Sequence, residues 1–150
     1  MRVIIQRVSE ASVTIDDIVK SRIAQGFLIL LGITHEDTQE DIDWLTNKII
    51  GLRVFSDANG AMNLSIKEID GDLLVISQFT LHASTKKGNR PSFLEAARPE
   101  VAIPLYENFV GTLSRKHTKE VYTGEFGADM KVRLVNDGPV TITIDSKNRQ

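Results

Sequence analysis

The chain has 150 residues, 41% hydrophobic and 25% charged, with a net charge of −2 and a pI near 5.9. That length suffices for one domain, residues 1–150, burying roughly two-thirds of its unfolded surface, and the charge balance argues against a broad phosphate-tracking surface of clustered Lys and Arg. Without cysteine there are no disulfides, no thiolate metal site and no thiol nucleophile, and His35, His82 and His117 lack the spacing of zinc ligands.

The N-terminal segment Met1-Arg2-Val3-Ile4-Ile5-Gln6-Arg7 has too short an apolar stretch for a signal peptide. Its alternation is that of a strand, with Val3, Ile5 and Arg7 on one face. Ala11 to Ile15, Asp16-Asp17 and Ile18 to Lys20 predict a hairpin. Gln25-Gly26 breaks the pattern before Phe27-Leu28-Ile29-Leu30-Leu31, a buried strand. The block from Phe27 to Ile33 is too short to span a membrane, and a cytoplasmic protein is expected.

Thr38-Gln39-Glu40-Asp41 resembles a capping box with Asp in the Glu position. Ile42, Leu45, Ile49 and Leu52 then repeat on one helical face, with Trp44 packing beside them. Arg53-Val54-Phe55 starts a strand, Asn59-Gly60 tips a turn, and Met62, Leu64 and Ile66 alternate on the return. The run Leu73-Leu74-Val75-Ile76 predicts a further buried strand, ending in Ser77-Gln78-Phe79-Thr80-Leu81. Polar groups where a core strand surfaces are suited to chemistry on a rigid element, although Ser77 and Thr80 also suit simple local backbone bonding.

A loop from His82 to Arg90 follows, carrying Lys86, Lys87 and Arg90. Pro91 to Ala97 reads as a short helix ended by Pro99. The second long helix is expected from about Ile103, with Pro104 in its first turn, Leu105, Phe109 and Leu113 as its stripe, and Arg115, Lys116 and His117 at its C-terminal end. Val121-Tyr122, Met130 to Val135 and Val140 to Ile144 read as strands, the last two separated by Asn136-Asp137-Gly138-Pro139. The pattern is that of one mixed α/β domain with strand-rich ends and a helix in each half.

Together, IIQRVSEASVTI, FSDANGAMN, SQFTL, KKGNRPSF and GADMKVRLVNDGPVT, in this order and spacing, resemble the D-aminoacyl-tRNA deacylase (D-tyrosyl-tRNA deacylase) family over nearly the whole chain. The resemblance implies a β-barrel-like, mostly antiparallel sheet with two principal helices, and a homodimer with active sites at the subunit interface. It further implies chiral proofreading in translation, by hydrolysis of the ester of D-aminoacyl-tRNA at its 3′-terminal adenosine, without metal or cofactor. Carried over, Ser77, Gln78, Phe79 and Thr80 are the catalytic wall of one subunit, and Gly138 and Pro139 of the partner, joined by a cis bond, form the other. Arg7 matches the arginine that holds the Gly-Pro loop, and Met130 a position near the adenosine pocket.

The chemistry suits these residue types. An aminoacyl ester is already activated, so main-chain N–H groups at the end of the SQFTL segment and a positioned water, helped by the substrate's 2′-hydroxyl, suffice. Each such donor supplies on the order of 3 kcal/mol to an oxyanion. A hydroxyl nucleophile, Thr80 or Ser77 activated by His82, requires the strand to continue so that residues 80 and 82 share a face. Main-chain carbonyls blocking an L side chain leave glycine unopposed, so glycyl-tRNA is an expected substrate. Lys86, Lys87 and Arg90 are placed to grip 3′-terminal phosphates, or form an ordinary solvated loop. Two rivals stand beside this reading: a module that binds the tRNA end without hydrolysis, and a related deacylase of misacylated L-aminoacyl-tRNA, whose members depart at the Phe79 position.

Overall fold

A computed structural model describes residues 1–150. Its spine is β1 (Arg2–Ile15), whose hydrogen-bonding edges are both used. The C-terminal half of β1 pairs with β2 (Ile18–Ile23) across the expected hairpin. Asp16 and Asp17, at φ 49° and 62°, form the left-handed turn that matches strand twist. The N-terminal half pairs antiparallel with β3 (Gly26–Gly32).

Beyond β3 come α1 (Gln39–Gly51), β4 (Phe55–Ser56), β5 (Met62–Leu64), β6 (Asp72–Ser77), α2 (Pro99–His117), β7 (Val121–Thr123) and β8 (Lys131–Asp145). β6 pairs parallel with β3 and β7 parallel with β6, while β8 runs antiparallel along β1. The order β2-β1-β3-β6-β7, with β8 returning onto β1, curls the sheet into a nearly closed, barrel-like form. No helix is long and apolar enough to cross a membrane.

The uninterrupted apolar runs follow from this curling, because β3 and β6 are covered on both faces. Phe27, Ile29, Leu31, Leu73 and Val75 face a core shared with the two helices. Leu28, Leu74 and Ile76 face a second cluster with Val8, Ala11, Val13 and Ile23. In α1 the capping box is complete: the Thr38 amide donates to the Asp41 carboxylate at 2.8 Å, and Ile42, Leu45 and Ile49 are buried. In α2 the buried stripe is Ala102, Tyr106, Phe109 and Leu113, with Leu105 only half-buried. Tyr106 donates to the Val75 carbonyl at 2.9 Å, and burial pushes its phenol up to about 12.

Four local expectations are corrected. Pro99 opens α2 rather than ending a helix, so Pro104 lies inside it; Ala102 and Tyr106, packed in the core, hold this turn although Pro104 lacks a donor. Pro91 to Ala97 is irregular, with a Thr34–Ala96 bridge to the loop after β3. The strand β5 stops at Leu64, and Ile66 is buried in the following turn. Asn136 to Pro139 does not separate two strands: β8 runs through it, and residues 137 to 140 bulge opposite Arg7 alone, between the pairs Val8–Asn136 and Gln6–Thr141. A bulge is where a sheet tolerates the missing N–H of Pro139, and the Asn136 side chain closes its neck, accepting from the Val140 amide at 3.2 Å and donating to Thr141 Oγ1 at 3.0 Å.

Candidate active site

β6 ends at Ser77, and Phe79–His82 fold into a single 3-10 turn. The strand therefore does not continue through SQFTL as the sequence suggested. The Gln78 amide donates to the Leu31 carbonyl at 2.8 Å, which fixes where the chain leaves β6. The amides of Phe79 and Thr80 head the new turn, where no preceding turn supplies acceptors. The Gln78 side-chain amide donates to Thr80 Oγ1 at 2.5 Å.

Ser77, Gln78 and Phe79 line a cavity of about 250 Å³ with Met130, Val132, Phe126, Ala128, Ala102 and others, ten of its thirteen residues being hydrophobic. Met130 thus lines the same cavity as Ser77, Gln78 and Phe79. Phe126 was missed because the segment Gly124-Glu125-Phe126 has no periodicity. Phe93 was missed as well; its ring meets Phe79 edge-on at 5.0 Å. Phe79 nevertheless remains 55% exposed, a large apolar ring left uncovered at the mouth of an apolar slot.

Gly138 and Pro139 lie elsewhere on the same chain. They follow Val132 by six and seven residues on β8, about 20 Å along a strand, and both are exposed. Their peptide bond is cis. Arg7, 9% exposed, secures this bulge: its Nε donates to the Asp137 carbonyl at 3.0 Å, its Nη1 to the Val54 carbonyl at 2.5 Å, and the Asp137 carboxylate lies 3.4 Å from Nε. Lys86, Lys87 and Arg90 are exposed in the loop after the turn, which the Ser84–Ser92 bridge closes.

His82 does not form a nucleophile–base pair. It is buried at the end of the turn, and its Nε2 has no hydrogen-bond partner. Burial pushes its pKa down, opposed by a backbone bond to Gly32. With β6 ending at Ser77, the shared strand face that a hydroxyl nucleophile needs is absent.

A mixed, barrel-like sheet flanked by two helices, with an apolar slot at the end of β6, makes a small α/β domain with a candidate ligand site in that slot. The chain matches the family described as D-Tyr-tRNA(Tyr) deacylase over residues 4–145. It is 66% identical to a D-aminoacyl-tRNA deacylase of Bacteroides fragilis and 63% identical to one of Flavobacterium johnsoniae, over 150 residues covering all of both chains in each case. A solved structure described as c-Myc DNA Unwinding Element Binding Protein has 39% identity and a TM-score of 0.92, covering 97% of this chain and 98% of that one. Another, described as a probable eukaryotic D-amino acid tRNA deacylase, has 17% identity and a TM-score of 0.82, covering 95% and 97%, and shares the fold. The chain belongs to the D-Tyr-tRNA(Tyr) deacylase family.

Proposed function

We propose that this chain hydrolyses the ester bond of D-aminoacyl-tRNA in the cytoplasm, releasing D-amino acid and tRNA as a chiral proofreader of translation. The observation that carries the reading is the shared cavity of Ser77, Gln78, Phe79 and Met130 at the start of a 3-10 turn. The terminal adenosine occupies the apolar part beside Met130. The ester lies over the turn, where the Phe79 and Thr80 amides receive the developing oxyanion, each supplying on the order of 3 kcal/mol. Water attacks with the help of the ribose 2′-hydroxyl, and Thr80 orients groups without being acylated.

Chirality is read by exclusion. In a homodimer, the main-chain oxygens of the partner's Gly138 and Pro139 face the ester, receive the α-amino group of a D-residue and block an L side chain. Two features support this arrangement. Gly138 and Pro139 are exposed and about 20 Å along β8 from their own chain's cavity, and Phe79 and Val135 are large apolar side chains left 55% and 50% exposed. Lys86, Lys87 and Arg90 hold 3′-terminal phosphates.

The test is deacylation of D-tyrosyl-tRNA, L-tyrosyl-tRNA and glycyl-tRNA side by side. The reading expects turnover of the first and third and none of the second. Turnover of L-tyrosyl-tRNA at the D rate, or of neither tyrosyl ester, overturns it.

A further inference from the structure

The turn Phe79–His82 is fixed at its entry by the bond from Gln78 to Leu31. Its exit is held by a rung crossing three strands. Arg2 on β1 stands opposite Gly32 on β3 and opposite Asp145 on β8, and the end of the turn meets the first two. Arg2 Nη1 donates to the Leu81 carbonyl at 3.1 Å, and Arg2 Nε donates to the Asp145 carboxylate at 2.7 Å. On the other side, a Cβ on Gly32 would come within 2.9 Å of Leu81 Cβ and 3.0 Å of the His82 ring. The turn is thus pulled toward the rung by a guanidinium and seated against a glycine that allows close approach.

We propose that Arg2, oriented by Asp145, is a positioning residue for the reaction: it sets the pitch of the Phe79–His82 turn and so the direction of the Phe79 and Thr80 amides. The proposal rests on the deacylase reading above. A planar fork is the side chain suited to this task, because two donors at fixed angles hold a carbonyl and a carboxylate together, which an ammonium does not reproduce. The Arg2 side chain is 43% exposed, and ion pairs that open to solvent add little to stability. The pair's contribution therefore lies in geometry, and its loss is read in turnover rather than in folding. A misplacement of about 1 Å costs up to roughly a hundredfold in rate.

The test uses the full-length protein and the variants Arg2→Lys, Arg2→Gln and Asp145→Asn, with kcat and KM for D-tyrosyl-tRNA measured beside thermal stability. Arg2→Gln is expected to lower kcat roughly tenfold or more, with KM within about twofold of wild type and the fold retained. Arg2→Lys keeps the charge and is expected to match the wild type in stability but not in kcat. Asp145→Asn leaves the guanidinium free to swing and falls between Arg2→Gln and wild type. Wild-type kcat in Arg2→Gln or Arg2→Lys overturns the proposal, as does a loss confined to KM or one that tracks unfolded protein. If the wild type itself does not turn over D-tyrosyl-tRNA, the deacylase reading fails first; wild-type turnover with unaffected variants defeats this inference alone.

Discussion

Arg7 donates through Nε to the carbonyl of Asp137, the residue immediately before Gly138, at 3.0 Å. A buried guanidinium on β1 thereby holds the bulge of β8, and its Nη1 donates to the Val54 carbonyl at 2.5 Å, joining the bulge to the segment before β4. Removing the fork leaves both carbonyls short of a donor, at about 1–3 kcal/mol for each one that stays buried. Arg7→Lys, which cannot span both acceptors, is expected to lower D-tyrosyl-tRNA deacylation more than tenfold and to loosen discrimination against L-tyrosyl-tRNA. Parallel rate measurements on the two esters check this, and unchanged selectivity would detach Arg7 from the filter.

Gly138 has φ +130°, a conformation that L side chains rarely adopt. A Cβ there would lie 2.8 Å from Val140 Cγ2 and 3.0 Å from Arg7 Nη2. Gly138→Ala is therefore expected to destabilise the bulge by about 1–3 kcal/mol and to reduce activity on D-esters. Denaturant unfolding beside the deacylation assay measures both, and a variant matching wild type in each would contradict the account.

The loop carrying Lys86, Lys87 and Arg90 yields a salt signature. Taking one cation away from a phosphate should lower the slope of log affinity against log salt by about one unit. Replacing all three with Ala is expected to flatten the salt dependence of tRNA binding while leaving turnover of a D-aminoacyl-adenosine fragment unchanged. An unchanged slope would return the loop to ordinary solvated surface.

Buried histidines set an acid limit on stability. His117 donates from Nε2 to the Gly71 carbonyl at 2.8 Å, yet burial, the largest influence, holds its pKa below the ordinary value of 6.5; His82 is shifted in the same direction by the same cause. The unfolded chain therefore takes up these protons at a higher pH than the folded one, and stability falls as pH drops below about 6.5 toward the folded values. His117→Gln is expected to weaken that dependence below about pH 6.5. Unfolding free energies across this range check the sign, and stability that rises on acidification would refute it.

What the sequence disclosed followed the locality of each signal. The Asp16-Asp17 hairpin, the Thr38–Asp41 capping box and the runs around Leu28 and Leu74 were legible because turn chemistry, caps and apolar periodicity act over a few residues. The start of α2 was not, since Pro99 and Pro104 carry opposing local signals that the burial of Ala102 and Tyr106 resolves. The end of β6 also escaped: Phe79 and Leu81 look like strand residues, and the rung of Gly32, Arg2 and Asp145 behind the turn is assembled from three distant segments. At the site, Met130 stands with Ser77 on the cavity wall; Phe126 lay in a stretch without pattern, and Phe93, though inside KKGNRPSF, carried no local signal that its ring would meet Phe79. Asn136 to Pro139 read as a turn because a bulge is defined by the partner strand, here the single residue Arg7.

The central claim, that one subunit's dipeptide completes the other's site, is tested by mixing two variants. One chain carries Gln78→Ala with Thr80→Val, and the other carries Gly138→Ala with Pro139→Ala; each homodimer is expected to be inactive on D-tyrosyl-tRNA. Co-refolded at equal amounts, they form mixed dimers in which one site joins an intact turn to an intact dipeptide, so activity should return to about a quarter of wild type. A mixture as inactive as its parents would contradict the cross-subunit account.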